Sequence, residues 1–338
     1  MKVLITGGAG YIGSVTAEAL RKRGISIVVL DNLVCGHRAA VDKDTPFFHG
    51  CVGDSNLIKR IIDEHSVDAC VHFAAYAYVG ESVTHPAKYF ENNLTRTIAL
   101  LDALRDRGVN TFVFSSSCAT YGEPNRTPIR EDHPQLPVNP YGWSKFMIER
   151  VLETYQAAYG LRFVSLRYFN AAGATTRLGE HHNPETHLIP NVLRAASGEL
   201  EYVPVYGNDY PTPDGTCIRD YIHVSDLADA HIRALEYLAD GGPSTQLNLG
   251  NGTGFSVIDV INTAQAVTGK PIISKIESRR EGDPPQLVAD ASRAFEALGW
   301  KREFADIELI IRSAWEWKLA NPAGYGNDDA VSGISVVS

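Results

Sequence analysis

Tyr141, Ser144 and Lys145 stand in the run Tyr141-Gly142-Trp143-Ser144-Lys145, and a serine run, Ser115-Ser116-Ser117, lies upstream. Together these segments supply a phenol, an ammonium and a hydroxyl, groups that can take the proton of an alcohol while a separate acceptor takes its hydride. A phenol alone is a poor base near neutrality, because its reference pKa is about 10. Lysine four residues on lies one helical turn along the same face. An ammonium there, with a bound cationic nicotinamide, would favour the phenolate. Asn139-Pro140 predicts a helix start just before Tyr141, since asparagine caps and proline suits the first helical position. Met147, Ile148, Val151, Leu152 and Tyr155 continue an apolar stripe at helical spacing, predicting a helix over 141–159. Taken alone, the tyrosine and lysine are better read as an amphipathic surface pair, so the elements that would position them must decide.

The N-terminus supplies those elements. Lys2 to Thr6 reads as a short buried strand, and Gly7-Gly8-Ala9-Gly10-Tyr11-Ile12-Gly13 follows at once. A helical pattern runs from about Ser14 to Arg23, ends near Gly24, and leads into a second strand from Ile25 to Leu30, closed by Asp31. Glycines at 7, 10 and 13 let the backbone turn tightly and approach a pyrophosphate at a helix N-terminus. Asp31 stands 18 residues beyond Gly13, placed to accept hydrogen bonds from a ribose 2′-hydroxyl. A carboxylate there would repel a 2′-phosphate, which favours NAD over NADP. Without a ligand the same segment would be only a tight strand-to-helix turn; strand, helix, strand and acid in order favour dinucleotide binding.

Further strand-like runs fall at Phe47-Phe48, Ala69 to Phe73, Thr111 to Ser115 and Arg162 to Leu166, with helical patterns at 55–65, 87–107 and 141–159. This alternation predicts an α/β fold, a doubly wound parallel sheet of Rossmann type. Residues 1–170 form the expected cofactor domain, with return segments from about 217–250. Residues 171–323, loop-rich and notably so at 203–216, form the expected smaller substrate lobe. Residues 324–338 read as a frayed or disordered tail.

Composition narrows the function classes. Of 338 residues, 44% are hydrophobic, enough for a substantial core, and 31 basic against 40 acidic residues leave a net charge of −9. An acidic chain with no basic run is not expected to bind nucleic acid. No long apolar stretch or signal-peptide pattern is read, so a cytoplasmic enzyme with no membrane partner is expected. Five cysteines with no CxxC pair read as free thiols. His181-His182 and His187, near Glu180 and Glu185, are metal-ligand types. A polar loop is the preferred reading, because two adjacent histidines cannot share one helical face, and no metal is expected.

The GxxGxxG spacing, with Tyr141-x-x-x-Lys145 and the upstream serines, resembles the extended, sugar-nucleotide-modifying branch of the short-chain dehydrogenase/reductase superfamily. The blocks TGGAGYIGS (6–14), HFAA (72–75), NPYGWSK (139–145), LRYFNAAG (166–173), GNDYPTPDGT (207–216), RDYIHVSDLADAH (219–231) and RREGDPP (279–285) are similar to the UDP-sugar 4-epimerases within it. The resemblance spans about 280 residues. It implies interconversion of UDP-glucose and UDP-galactose through a 4-keto sugar, with NAD held tightly through turnover. Tyr141 would be the base, Lys145 would hold the nicotinamide ribose, and Ser117 would hydrogen-bond the reacting oxygen. Cofactor contacts would come from Gly7, Gly10, Tyr11, Ile12 and Gly13, then Asp31, Asn32 and Val52. Phe73, Ala74, Ala75, Asn92, Ser115 and Tyr168 would complete them, with Tyr141 and Lys145.

On the substrate side the resemblance implies Asn170, His187, Leu188 and Tyr206, with Arg219 and Tyr221 on the diphosphate and Arg280 and Asp283 on the uridine ribose and phosphate. Arginine's planar fork suits the diphosphate role. A homodimer is implied, through helices at 91–107 and 141–159. Departures from the pattern are specific. Ala77 stands where many members carry a cofactor-contacting lysine, and Cys51-Val52 where an Asp-Ile pair commonly meets the adenine. His187 replaces an asparagine. Leu287 aligns with a frequently aromatic gatekeeper, which leaves room for an N-acetyl group, and the segments AYVGES and SCATYGEP are also similar to enzymes acting on UDP-xylose and UDP-arabinose. A 4,6-dehydratase would need an Asp-Glu pair after the active-site hydroxyl, whereas Cys118-Ala119 follows Ser117. A non-catalytic NAD-binding scaffold would not need Ser117, Tyr141 and Lys145 together.

Overall fold

The computed structural model describes residues 1–280 and 282–326. Its first half runs β1 (Lys2–Thr6), α1 (Tyr11–Lys22), β2 (Ser26–Asp31), β3 (Phe47–His49), α2 (Ser55–His65), β4 (Ala69–His72), α3 (Val79–Thr84), α4 (Pro86–Tyr89), α5 (Arg96–Asp106), β5 (Thr111–Ser117), α6 (Pro140–Tyr159) and β6 (Arg162–Tyr168). Then follow β7 (Asn170–Ala172), α7 (Leu188–Ala196), β8 (Val203–Tyr206), β9 (Ile218–His223), α8 (Val224–Ala239), β10 (Thr245–Leu249), β11 (Gly254–Ser256), α9 (Val257–Thr268), β12 (Ser274–Glu277), β13 (Gln286–Leu287), α10 (Ser292–Leu298) and α11 (Ile307–Ala320).

Seven strands form one parallel sheet in the order β10-β6-β5-β4-β1-β2-β3, the expected doubly wound arrangement. Its strands are apolar on both faces because helices cover both. Val3 and Ile5 of β1 enter the core that includes Leu20 of α1 and Leu227 and Leu235 of α8. Leu4, pointing the other way, enters the core that includes Ile58 of α2, Leu100 of α5 and Ile148 of α6. The strand period of two thus splits one strand between two cores. Chain order reverses between β1 and β4, and a crevice opens there beyond the strand ends.

A second, four-stranded sheet is built by β7, β9, β11 and β13, with β8 and β12 pairing separately. Helices α7, α9 and α11 pack with these strands around Ile189, Val192, Val260, Ile310 and Ile311.

Two local readings change. The helix expected over 87–107 is interrupted, because Phe90–Thr95 adopts a π-helical turn between α4 and α5. This bulge turns Asn92 and Asn93 inward, where both are buried, and Asn93 ties the loop at Tyr76 to Ser144 on α6. Of the expected tail, Tyr325 packs back: its hydroxyl bonds to Gly179 and its ring stacks on His37. An aromatic ring with a satisfied hydroxyl holds the chain there; residues 327–338 lie outside the described residues.

Candidate active site

Tyr141 and Lys145 sit in the first two turns of α6, which starts as the sequence dictates. Asn139 accepts from the Gly142 amide at 2.9 Å and Pro140 occupies the first turn. A side chain at Gly142 would meet the Ala119 carbonyl at 2.5 Å, so glycine lets this turn press against the residues after Ser117. Ser117 ends β5, opposite Tyr168 on β6, and its hydroxyl accepts from the Ala119 amide at 3.1 Å. All three predicted catalytic side chains are buried: Tyr141 is 9% exposed, Lys145 3% and Ser117 7%.

The serines divide by strand alternation. Lys145 Nζ donates to the Ser115 carbonyl at 2.7 Å, and the Ser115 hydroxyl pairs closely with the Tyr168 hydroxyl. Ser116 points to the opposite face and donates to Glu149 at 2.6 Å. Glu149 in turn holds Arg167 in a buried ion pair, with Nη2 to Oε2 at 2.7 Å. Ser116 is therefore structural, and Glu149 is a residue that reading the motif alone misses. Its signal was present, because 141, 145 and 149 share one helical face.

Electrostatics here differ from the simple expectation for the phenol. Burial pushes the Tyr141 pKa well up, with the neighbouring Ser117 hydroxyl pulling the other way. Burial also lowers Lys145 to about 7, opposed by Glu149. The protein's own groups thus leave the phenol protonated. Lowering it requires added positive charge in the crevice.

The glycine turn lies at the switch point. A side chain at Gly7, where φ is +73°, would meet the Ala74 backbone nitrogen at 2.5 Å. At Gly13 it would meet the Gly7 carbonyl at 2.2 Å. Helix α1 starts at Tyr11, earlier than expected, behind Gly10 and with no side chain capping it, so no side chain occupies the anion-binding end of the helix. Ile12 lies in that first turn, packed against the core. The Asp31 carboxylate, buried at the end of β2, accepts from Ala9 and Leu33 amides at 2.9 and 2.8 Å and so shapes the turn. Phe73 and Ala74 both donate backbone amides to the Thr6 carbonyl, and Ala75 follows half-buried. Asn32 caps its own loop by accepting from Val34, Val52 is buried, and Asn92 bonds to Asn93. Ala77 is exposed, whereas the Cys51 thiol receives Arg96 at 3.4 Å.

Across the crevice, Asn170 donates to the Asp220 carbonyl at 2.9 Å, beside the buried Tyr221. Arg219 is ion-paired with Asp283, and the Arg280 guanidinium lies 3.8 Å from the centroid of the Tyr206 ring. Arg280 and Asp283 line a cleft of about 350 Å³ with Tyr210 and Arg279. Leu287 is half-buried against the cluster of Cys118, Tyr121, Ile129 and Phe169, and pairs in register with Arg219. His187 caps α7 just before Leu188, but its ring faces Glu180 and Glu185 and is not free.

A glycine turn between a parallel strand and helix, with a buried serine, tyrosine and lysine at the same sheet, has the layout of a Rossmann-type dinucleotide fold. Residues 3–250 match the NAD dependent epimerase/dehydratase family, and the chain belongs to that family. It is 49% identical to the UDP-glucose 4-epimerase of Streptococcus mutans, over 97% of this chain and 100% of the relative. The crystal structure of UDP-glucose 4-epimerase from Brucella ovis in complex with NAD superposes with a TM-score of 0.90 at 49% identity, covering 93% of this chain and 97% of that one. The enzyme from Bifidobacterium longum, in complex with NAD⁺ and UDP, gives 0.91 at 39% identity over 96% and 100%.

Proposed function

We propose that this chain is an NAD-dependent UDP-glucose 4-epimerase, interconverting UDP-glucose and UDP-galactose. The observation that carries the reading is the joint burial of Ser117, Tyr141 and Lys145, with Ser117 beside the phenol and Lys145 Nζ 5.9 Å from the Tyr141 ring centroid. The residues suit NAD. The uncapped start of α1 offers amides to a pyrophosphate, and Asp31 closes β2 where the adenosine ribose would lie. NAD supplies a reversible hydride acceptor and, while oxidised, the positive charge that the phenol lacks. Tyr141 Oη takes the proton of the sugar 4-hydroxyl, Ser117 Oγ hydrogen-bonds that oxygen, and Lys145 Nζ holds the ribose while stabilising the phenolate. The 4-keto sugar has lost its stereocentre and turns over before reduction from the other face. Arg219, Arg280, Tyr221 and Asn170 hold the nucleotide end. The sheet and its helices carry the cofactor, and the segments after residue 170, apart from those returning to the sheet, form the substrate lobe.

Incubation with UDP-glucose without added reductant, followed by NMR, is expected to yield UDP-galactose. Return of unchanged substrate both with and without added NAD⁺ would sink this reading. A second reading, 4-epimerisation of UDP-N-acetylglucosamine, is favoured by Leu287, an aliphatic gatekeeper already packed into its own apolar cluster. A parallel incubation with that sugar decides it, and UDP-xylose tests the pentose branch. We infer further that the chain works as a homodimer. Exposed Trp143 on α6 supports this, and a monomer mass at micromolar concentration would count against it. Five free thiols support a reducing, cytoplasmic location, which fractionation of native cells tests.

A further inference from the structure

Between β7 and α7 the chain crosses the surface as Glu180-His181-His182-Asn183-Pro184-Glu185-Thr186-His187, without regular structure. Loop geometry does what a helix could not. His181 turns away to stack on His37 at 4.8 Å between centroids, while His182 turns towards His187. One donor atom from each of Glu180, His182, Glu185 and His187 then falls within 4.8 Å of all the others.

We propose that these four side chains form a binding site for a divalent first-row transition ion, Zn²⁺ by preference, which fixes the loop leading into α7. The site is independent of the epimerase reading.

Four separations carry the geometry. His187 Nδ1 lies 2.7 Å from Glu180 Oε1 and 3.1 Å from Glu185 Oε1, and His182 Nδ1 lies 3.2 Å from Glu180 Oε1 and 3.6 Å from Glu185 Oε2. Ligands about 2.0–2.1 Å from a tetrahedral ion stand roughly 3.3 Å apart; these four separations bracket that value, and the wider pairs of the 4.8 Å cluster would have to close as the ion binds. His182 adds an independent sign. Its Nδ1 is buried and makes no hydrogen bond, although two carboxylates are close.

Chemistry selects the ion. Two imidazoles with two carboxylates suit a borderline ion, whereas Mg²⁺ and Ca²⁺ favour all-oxygen sets. The carboxylates are nearly inaccessible, with side-chain exposures of 8% for Glu180 and 6% for Glu185. Two desolvated carboxylates side by side need positive charge, which a bound ion would supply in place of protonated His182 and His187. Outer contacts orient the ligands, because Glu185 Oε1 accepts from the Thr186 and His187 amides at 2.7 and 2.8 Å. The rings of Tyr11 and Tyr78 stand edge-on to His182 at 6.4 and 6.1 Å, packing against that ligand. With four protein ligands the ion would be structural, joining the loop to the start of α7.

The test uses full-length protein, freed of metal with a chelator and titrated with Zn²⁺ against a chromophoric competitor. One tight equivalent per chain is expected. Glu180→Gln and His182→Ala should each weaken it by more than the roughly 100-fold that even outer contacts can cost. Zn²⁺ should raise the wild-type melting temperature and leave that of Glu180→Gln unchanged. Co²⁺ substitution in the wild type, which needs no variant to fold, should give the strong visible bands of a tetrahedral centre. Absence of a tight equivalent, weak octahedral Co²⁺ bands, equal Zn²⁺ affinity in both variants, or larger stabilisation by Mg²⁺ or Ca²⁺ would each overturn the proposal. The quartet would then be a pair of imidazolium–carboxylate ion pairs.

Discussion

On the sheet side of the crevice, Tyr141 and Lys145 ride on a 20-residue helix capped by Asn139 at one end and by left-handed Gly160 at the other. That helix is anchored through Glu149 to Arg167 on β6. On the lobe side, Arg219, Asp283 and Arg280 come from strand ends and loops, and their partners are each other or a neighbouring aromatic ring. The sheet side spends its polar contacts on holding the reacting groups in one geometry. The lobe side holds charges in exchangeable pairs, as a surface must that binds and releases a charged nucleotide. The contrast predicts that damage beneath the sheet side costs stability, damage at its surface costs turnover, and damage on the lobe side costs affinity.

The largest effect should follow from Glu149→Gln. Glu149 accepts from Ser116, Gln135 and Arg167, and the substitution leaves the Arg167 guanidinium buried without its counter-charge. Loss of one partner of such a pair costs about 3–5 kcal/mol. Urea unfolding should show this. A loss below about 1 kcal/mol would mean that the helix is held by its apolar face alone.

Next in size, Tyr141→Phe should keep the fold and NAD binding but lower kcat about 100-fold or more, since it removes the general base. Turnover close to wild type would remove Tyr141 from the mechanism and erase the distinction between the sheet-side surface and what lies beneath it.

These two residues also mark what was legible in the sequence. Tyr141, Lys145 and the glycine turn were readable because regular elements space them by fixed periods, and Asn139-Pro140 announces the helix start. The parallel, doubly wound sheet followed from the alternation of elements, but its strand order did not. Glu149 was within reach on the same helical face but had no motif to flag it. The π turn at Phe90–Thr95 was not legible, because a helical pattern does not say where a residue is inserted. Least legible was the quartet at 180–187. A loop has no period, so the helical-face argument separated residues that the backbone brings together.

A smaller, pH-dependent effect tests the burial of Lys145. Burial lowers its pKa to about 7, below its value in the unfolded chain. Between pH 7 and 9 the unfolded chain therefore binds a proton that the folded one has released, so this group's contribution to stability rises with pH. The unfolding free energy of the wild type relative to Lys145→Met should increase over that window by up to about 1.4 kcal/mol per pH unit. A flat difference would show a lysine with its ordinary pKa, solvated from the crevice, and would move Lys145 to the exchangeable side of the comparison.

The smallest effect on stability should come from Arg219, and it sharpens the contrast most directly. Its side chain is 13% exposed and that of Asp283 31%, so the pair is partly sheltered, and the partner left behind by Arg219→Met is the more exposed one. Arg219→Met should therefore cost less in urea unfolding than Glu149→Gln, which strands a buried guanidinium. Charge-assisted hydrogen bonds to a diphosphate are worth about 1.5–3 kcal/mol, so KM for the UDP-sugar should rise about tenfold or more with kcat little altered. The split between KM and kcat is the informative part. A fall in kcat at constant KM would place Arg219 with the reacting groups, and a loss of stability near that of Glu149→Gln would make the Arg219–Asp283 pair a fixed part of the scaffold.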